Sequence, residues 1–420
     1  MKTKAVRLYG KNDLRVEEFE LPPIKDDEIL ARVVSDSLCM STYKAVMQGE
    51  NHKRVPKDIS ANPIIVGHEF SGEILEAGPK WAGEFKAGQK FVIQPALNYK
   101  GKLDAPGYSY PYIGGNATYI IIPNEVMEMG CLLTYEGDGF FGGSLAEPYS
   151  CIAGTFHAMY HTRRGSYDHE MGIKEGGSMA ILAGVGPMGL AAIDYILHCE
   201  RRPSLLVATG RNREKLAYAR RVLSPAEADS AGIKLIYLNT AEFPDPKEAL
   251  LRLNWGAGYD DVLVFAPDPA LVELADSILC EDGCLNFFAG PSDPGFSAKL
   301  NFYNVHYNNT HIVGTSGGNS EDMREVLQMI GKGLINPAIL VTHIGGLDSV
   351  PEATYNLPSL PGGKKLIYTG ISMPLTAISD FAEKGKTDPF YAKLHELTAK
   401  TNGLWNSEAE KFLLSHKKEA

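Results

Sequence analysis

The segment SMAILAGVGPMGLAAIDYILHC, residues 178–199, joins an apolar run, a glycine-rich turn and a second apolar run. The first run has the length and composition of a buried strand, and the second has the length of a helix. The spacing G-x-G-x-x-G between them is weak evidence by itself but strong evidence between a strand and a helix. Hydropathy alone would also allow Met179 to Leu197 to span a membrane, but the glycines favour a turn.

Further strand-length runs follow this segment, each beside a helix-compatible stretch. They are LLVATG, KLIYLN, DVLVFAP, CLNFFAG and THIVGTSGG. Strands that alternate with helices form parallel sheets. We therefore predict an α/β chain in which residues 150–321 form a doubly wound Rossmann domain.

The turn has the features of a dinucleotide site. Gly184 permits a tight turn, Gly186 lets the backbone approach a pyrophosphate, and Gly189 lets the helix pack closely on the strand. Pro187 suits the first helical turn, where free N–H groups attract phosphate. The sequence therefore predicts that a dinucleotide binds at this turn.

The next strand ends without the carboxylate that would bind an adenine-ribose 2′-hydroxyl. Gly210 leaves room there and Arg211 can pair with a 2′-phosphate, which favours NADP(H) over NAD(H). The alternative is that Arg211 and Arg213 are merely exposed charges in the first turn of a helix. The predicted cofactor-binding residues are Gly184, Gly186, Pro187, Met188, Gly189, Gly210 and Arg211.

The two ends of the chain differ from this central part in their predicted secondary structure. Residues 1–149 are strand-rich, with the runs AVRLYG, DEILARVVSDSL, IIVGHEFSGEILEAG, QKFVIQPA and ATYIIIP. Residues 322–420 begin with a helix, return to mixed structure and end in three helical pieces with the cores SDFAEKG, YAKLHELTAK and SEAEKFLLSHKK. This tail either closes over a cleft, contacts another subunit or forms a solvated helical appendage.

Composition excludes several classes of protein. A chain of 420 residues exceeds one hydrophobic core and predicts two or three domains. A net charge of −10 opposes binding to nucleic acid or to an anionic membrane. The six scattered cysteines do not form a disulfide framework, and the N-terminus lacks the apolar region of a signal peptide. We therefore predict a cytoplasmic protein with reduced thiols.

Four residues far apart in the sequence could hold a metal. Cys39, His68, Glu69 and Glu147 offer a thiolate, an imidazole and two carboxylates, which suit a zinc ion with an open position. Taken singly, each has a simpler interpretation, such as a core thiol, a hydrogen-bonded imidazole or a helix cap. The spacing alone does not decide between a zinc site and these separate structural roles.

The order of motifs is more specific. An upstream Cys, the pattern GHExxG at Gly67 to Gly72, an AEP segment and then the strand, glycine turn and helix resemble the zinc-dependent medium-chain dehydrogenase/reductase family, in its polyol dehydrogenase branch. The resemblance covers roughly residues 1 to 370. It implies a GroES-like β-rich catalytic domain beside the Rossmann domain, with residues 322–420 returning to the catalytic domain and extending it.

The resemblance also assigns roles to the candidate residues. It implies that Cys39, His68 and Glu69 contact or approach the catalytic zinc, that Glu147 is the remaining candidate ligand, and that Ser41 relays a proton. Glu69 is therefore both a metal-site and a catalytic candidate. The sequence departs from the family at Thr42, where an Asp commonly braces the metal-bound His, and at Lys44, where many members carry a proton-passing His.

The implied function is a zinc-dependent, NADP(H)-using reduction of a ketose phosphate, such as L-sorbose 1-phosphate, to a polyol phosphate by a homodimer or homotetramer. The alternatives are a dehydrogenase of an unphosphorylated alcohol or polyol and a non-catalytic NADP-binding scaffold. Hydroxyls for a polyol could come from Tyr108, Tyr110 and Tyr112, and a sugar phosphate could meet Lys44, Lys53 and Arg54. Each of these residues has the simpler interpretation of an ordinary loop or surface residue.

Overall fold

The structure is a computed structural model, which describes residues 1–416. The chain divides into two compact units, one formed by Met1–Glu147 together with the chain from Met323 onward, and the other by Pro148–Asp322.

The strands are β1 (Lys2–Gly10), β2 (Asp13–Glu20), β3 (Ile29–Ser37), β4 (Ile64–Ile65), β5 (Phe70–Ala77), β6 (Lys90–Ile93), β7 (Tyr119–Ile122), β8 (Leu132–Tyr135), β9 (Tyr160–His161), β10 (Glu170–Met171), β11 (Ser178–Leu182), β12 (Leu205–Gly210), β13 (Lys234–Asn239), β14 (Tyr259–Val264), β15 (Leu279–Phe287), β16 (His311–Gly314), β17 (Val341–Gly346), β18 (Lys364–Tyr368) and β19 (Thr376–Ala377). The α-helices are α1 (Met40–Gln48), α2 (Asn124–Glu128), α3 (Phe141–Ser144), α4 (Ala146–Ala158), α5 (Pro187–His198), α6 (Arg213–Val222), α7 (Pro225–Ser230), α8 (Pro246–Leu253), α9 (Pro269–Ser277), α10 (Phe302–Tyr307), α11 (Ser320–Gly331), α12 (Val350–Asn356), α13 (Phe381–Lys384), α14 (Pro389–Ala399) and α15 (Ser407–Ser415). Short 3-10 helices lie at Gly49–Asn51, Tyr99–Gly101, Thr240–Glu242, Pro337–Leu340, Leu347–Ser349 and Ile378–Asp380.

The unit Pro148–Asp322 contains a parallel six-stranded sheet in the order β13-β12-β11-β14-β15-β16. This is the doubly wound order of the Rossmann fold, and the α/β fold class is confirmed. The apolar window from Met179 to Leu197 is divided between β11 and α5. Among residues 1–416, no helix is both long enough and apolar enough to cross a membrane.

The other unit contains a small sheet, β2-β1-β4, and a larger sheet along the path β19-β17-β18-β3-β5-β6-β8, with β7 also paired to β3. The run IIVGHEFSGEILEAG, predicted as one strand, is two strands in different sheets. The break lies at Gly67, whose φ is +95°, and a Cβ there would come 2.5 Å from Nδ2 of Asn116. Glycine at this position therefore lets the chain leave one sheet and enter the next, and His68 and Glu69 lie at the crossing.

The C-terminal helices pack into this unit. Trp405 is 1% exposed, and its Nε1 donates a hydrogen bond to the Tyr368 hydroxyl at 2.7 Å. That hydroxyl donates to Oε1 of the buried Glu410 at 2.7 Å, and Glu410 also accepts from the backbone N–H groups of Phe140 and Phe141. The interpretation as a solvated appendage is therefore wrong. The end of the last predicted helix, at Lys417 and Lys418, lies outside the described residues.

His161 ties the start of the Rossmann unit to its sheet and offers a test of the local electrostatics. Its Nδ1 lies 3.0 Å from the backbone oxygen of Asp282, and its Nε2 lies 3.1 Å from Oδ1 of Asp261. Both neighbours accept hydrogen bonds, so the ring satisfies both when it carries two protons. Burial lowers the pKa of His161, but the hydrogen bond and charge of Asp261 outweigh burial and raise it above 6.5.

We therefore expect the His161 ring to titrate above 6.5 in an NMR titration. The stabilisation it provides is complete below the ordinary histidine pKa and is lost as the pH rises through the raised value. His52 is the internal comparison, because burial and nearby cations lower its pKa to about 4. A His161 resonance that titrates below that of His52 would refute this assignment.

Candidate active site

Three of the four predicted metal-site residues converge. Cys39 stands immediately before α1, and His68 and Glu69 immediately before β5. The backbone N–H of Ser37 donates to the Glu69 carbonyl at 2.9 Å, which ties the two segments together. One ligand atom each from Cys39, His68 and Glu69 lies within 4.8 Å of the others, and this is the only such group in the part of the chain described. Glu147 is outside the group, at the start of α4.

The electrostatics of these donors suit a divalent cation. Burial, together with the charges of Glu69 and Glu147, raises the pKa of the Cys39 thiol to about 12. The thiol therefore ionises only beside additional positive charge. Burial lowers the pKa of His68 to about 4, so the imidazole is neutral, which is the form that ligates metals. A thiol, a neutral imidazole and carboxylates are donors that zinc accepts, and the residues fit this metal.

Hydroxyl groups surround the His68 ring. Thr42 Oγ1 lies 3.1 Å from Nδ1, so a hydroxyl braces the ring where the family commonly has a carboxylate. On the other side, Ser41 Oγ lies 3.0 Å from Cys39 Sγ and 3.2 Å from His68 Nε2. The Tyr108 hydroxyl donates to Ser41 Oγ at 2.9 Å and lies 3.2 Å from Nε2. Ser41 is therefore in contact with two of the donor residues.

The three tyrosines considered from the sequence separate in the structure. Tyr108 is 2% exposed and lies at the cluster, with its ring centroid 4.8 Å from that of His68. For Tyr110, burial and then the charge and hydrogen bond of Glu125 raise the pKa of the hydroxyl. The ring of Tyr112 packs against Phe19. Among the three, Tyr108 is the one in contact with the candidate site.

Lys364 is a site residue that the sequence reasoning missed. Its Nζ lies 2.5 Å and 2.6 Å from the two carboxylate oxygens of Glu69, and both side chains are buried. Burial works against both charges, but the pairing lowers the pKa of Glu69 and raises that of Lys364. Antiparallel pairing of β18 with β3 brings this lysine to the site. The available signal was KKLIY, in which two lysines open a strand that is otherwise apolar and fully buried.

The glycine turn in the Rossmann unit has the local geometry that the motif requires. α5 begins at Pro187 with Gly186 as its N-cap. A Cβ on Gly189 would come 2.2 Å from the Gly184 carbonyl oxygen. Only glycine at position 189 therefore lets the helix approach the turn this closely. A Cβ on Gly186 would meet no atom within 4 Å. The backbone at Gly186 therefore faces open space, and Met188 follows in the first turn of the helix.

The end of β12 shows why Gly210 stands there. A Cβ on Gly210 would come 2.4 Å from Cγ2 of Val185 in the glycine turn. Arg211 and Arg213 are both exposed. Arg213 pairs with Glu242 at 3.2 Å, whereas within residues 1–416 no carboxylate lies within 4.0 Å of the Arg211 guanidinium. The two arginines are thus not equivalent.

Sequence comparison places both units in one family. The profile of the alcohol dehydrogenase GroES-like domain matches residues 25–130, and that of the zinc-binding dehydrogenase matches residues 187–332. The L-sorbose 1-phosphate reductase of Klebsiella pneumoniae is 52% identical over 99% of this chain and 98% of its own length. The chain belongs to the zinc-dependent medium-chain dehydrogenase/reductase family. The predicted oxidoreductase class is therefore confirmed.

One further sequence relative and two solved structures are also similar to this chain. The mannitol-1-phosphate 5-dehydrogenase of Aliivibrio fischeri is 49% identical over 98% of this chain and 97% of its own length. In fold, the chain resembles the 2R,3R-butanediol dehydrogenase of Bacillus subtilis, with a TM-score of 0.70 and 20% identity over 87% of this chain and 99% of that one. A zinc-binding dehydrogenase of Sinorhizobium meliloti bound to NADP has a TM-score of 0.70 and 19% identity, covering 88% of this chain and 99% of that one.

Proposed function

We propose that this medium-chain dehydrogenase is a cytoplasmic, zinc-dependent NADP(H) oxidoreductase that reduces a ketose phosphate, such as L-sorbose 1-phosphate, to a polyol phosphate. The observation that carries the proposal is the convergence of Cys39 and His68 beside Glu69, with the Ser41 hydroxyl against the first two. The names of two relatives of nearly equal length, a sugar-phosphate reductase and a polyol-phosphate dehydrogenase, support the substrate class. The six cysteines form no disulfide, which suits a reducing compartment.

We assign the metal to Cys39, His68 and Glu147. The sequence left open which glutamate completes the set, and the Lys364 ammonium already binds both oxygens of Glu69. Glu69 is then the carboxylate beside the metal, held by Lys364, and Glu147 is the ligand. When bound, zinc polarises a carbonyl oxygen and the nicotinamide supplies the hydride.

The chain's own contribution to the proton step lies in two hydroxyls. Reduction of a ketone adds a hydride to carbon and a proton to oxygen. Ser41 Oγ gives up its proton to the substrate oxygen and takes one back from solvent water before the next turnover. The Tyr108 hydroxyl, whose pKa burial raises well above 10, stays protonated and holds Ser41 Oγ in place by donating to it at 2.9 Å. Thr42 holds the His68 ring in one orientation during this step.

We assign the preference for NADP(H) to Arg211, because it has no carboxylate partner whereas Arg213 is paired. Substitution Arg211→Ala should weaken NADPH binding roughly ten- to a hundredfold, the value of a charge-assisted hydrogen bond, and leave NADH binding nearly unchanged. Fluorescence titration with both nucleotides measures the difference, with Arg213→Ala as the matched control. Equal losses for NADPH and NADH would remove the assignment.

We propose that the protein is a homo-oligomer assembled at the β16 edge of the Rossmann sheet. β16 is the last strand of its sheet and carries Ile312, which is 40% exposed. The preceding helix, α10, exposes Phe302, Tyr303 and Tyr307 by 72%, 63% and 62%. An unpaired strand edge beside apolar side chains suits a second copy of the same surface.

Light scattering tests this surface. We expect the wild-type protein to be at least dimeric and Tyr303→Glu/Tyr307→Glu to have a lower mass at the same concentration. Tyr167→Glu, at a tyrosine that is 99% exposed, should leave the mass unchanged. An unaltered mass in the double variant would show that the copies meet elsewhere.

The function itself is tested by NADPH oxidation with L-sorbose 1-phosphate, fructose 6-phosphate and the corresponding free ketoses. We expect turnover with a ketose phosphate at a kcat/KM well above that of the free ketose. A preference for the unphosphorylated compound would favour the alternative, an alcohol or polyol dehydrogenase.

A further inference from the structure

A group of basic side chains lies next to the tyrosine of the candidate site. The guanidinium carbon of Arg54 is 5.3 Å from the centroid of the Tyr108 ring. The His52 ring stacks on the same tyrosine, with centroids 5.8 Å apart and planes 12° apart. The Tyr108 hydroxyl contacts both Ser41 and His68. Arg54 and His52 therefore lie against a side chain that is itself part of the candidate site.

Arg54 lacks the partner that a half-buried arginine usually has. Its Nε is fully buried and has no hydrogen-bond partner. Within residues 1–416, no carboxylate lies within 4.0 Å of its guanidinium nitrogens, whereas Arg7 pairs with Glu17 and Arg32 with Glu73. Removing a charge from water without a counter-ion is costly. An anion that docks here would offset this cost.

The surrounding field is positive. Burial, together with the charges of Arg54, Lys53 and Lys44, lowers the pKa of His52 to about 4. Lys53 is exposed and follows His52 directly in the chain. In a chain with a net charge of −10, this concentration of positive charge beside the site stands out.

We propose that Arg54, assisted by Lys53, forms the subsite for the phosphate group of the substrate. The inference rests on the proposed function and specifies which residues select the phosphorylated form. A guanidinium presents a rigid planar fork of donors that matches two phosphate oxygens, whereas a lysine ammonium acts as a compact point charge. The guanidinium carbon of Arg54 lies 5.3 Å from the centroid of the Tyr108 ring, which places this fork beside the hydroxyls of the candidate site.

The test compares Arg54→Gln and Arg54→Lys with Lys57→Gln, a matched control in the same segment. Lys57 is exposed, and its ammonium donates to the Glu50 carbonyl. We expect Arg54→Gln to raise KM for the ketose phosphate roughly ten- to a hundredfold, with KM for a free ketose unchanged. Arg54→Lys should recover part of the loss, and Lys57→Gln should behave like the wild type.

A second readout does not need turnover. Inorganic phosphate is titrated by calorimetry into the zinc-loaded full chain with saturating nucleotide, so that the nucleotide's own phosphate contacts are already filled. Binding to the wild type and to Lys57→Gln, but roughly ten- to a hundredfold weaker binding to Arg54→Gln, supports the subsite even if the wild type reduces no ketose phosphate. That combination would overturn the proposed function alone. Equal phosphate binding by Arg54→Gln and the wild type, or equal KM changes for phosphorylated and free ketoses, would overturn the subsite.

Discussion

Replacing Cys39 with serine should lower turnover at least ~10³-fold, because a metal that polarises a carbonyl contributes several kcal/mol to the transition state. Burial keeps the Cys39 thiol protonated unless positive charge is added, and a serine hydroxyl in the same place ionises less readily still. The zinc content of the purified variant should fall together with the turnover.

Binding of NADPH should survive this substitution. The glycine turn lies in the unit Pro148–Asp322, whereas Cys39 lies in the other unit. Fluorescence titration of the nucleotide measures this directly. Cys199→Ser is the matched control, because the Cys199 thiol donates to a backbone carbonyl, which a serine hydroxyl can also do. Full turnover in Cys39→Ser would contradict the assigned role of the thiol.

Substitution of Lys364 with methionine should destabilise the zinc-free protein by about 3 to 5 kcal/mol, because it removes the ammonium that pairs with the buried Glu69 carboxylate. Chemical denaturation measures the loss. The neighbouring Lys365 is also buried, and its ammonium donates to the carbonyls of Pro361 and Gly363, which carry no net charge. Lys365→Met should therefore cost less, about 1 to 3 kcal/mol.

A second variant separates the charge pair from general packing. In Glu69→Gln/Lys364→Met the unpaired buried charge is gone, so most of the loss of stability should be recovered. The double variant should therefore lose less stability than the sum of the two single variants, and the difference is the coupling energy of the pair. A double variant whose loss equals the sum of the single losses would show that the two side chains do not stabilise each other.

The sequence predicted well those features that depend on neighbouring residues. The strand, turn and helix around Gly184 appear at β11 and α5, and the run KLIYLN coincides with β13. Local hydrophobic period and glycine spacing determine such elements. The prediction of a single strand through Gly67 was wrong. β4 pairs with β1 and β5 pairs with β3, and these long-range partners, which local sequence does not show, place the two strands in different sheets.

Only those residues of the candidate site that belong to a sequence motif could be predicted. His68 and Glu69 lie in GHExxG, and the order of motifs indicated Cys39. Lys364 lies 295 residues from Glu69 along the chain, and no periodicity links two strands so distant in sequence. The burial of Trp405 was missed for the same reason, since its environment is formed by β18 and by residues near Phe140.

The proposed reaction requires one metal ion at Cys39 and His68, and anomalous diffraction at the zinc edge from crystals of the purified protein tests this most directly. We expect a single strong peak per chain about 2.3 Å from Cys39 Sγ and about 2.0 to 2.1 Å from His68 Nε2, and no peak there in Cys39→Ser. A zinc-supplemented crystal with no peak between these two atoms, or with its peak elsewhere, would contradict the account.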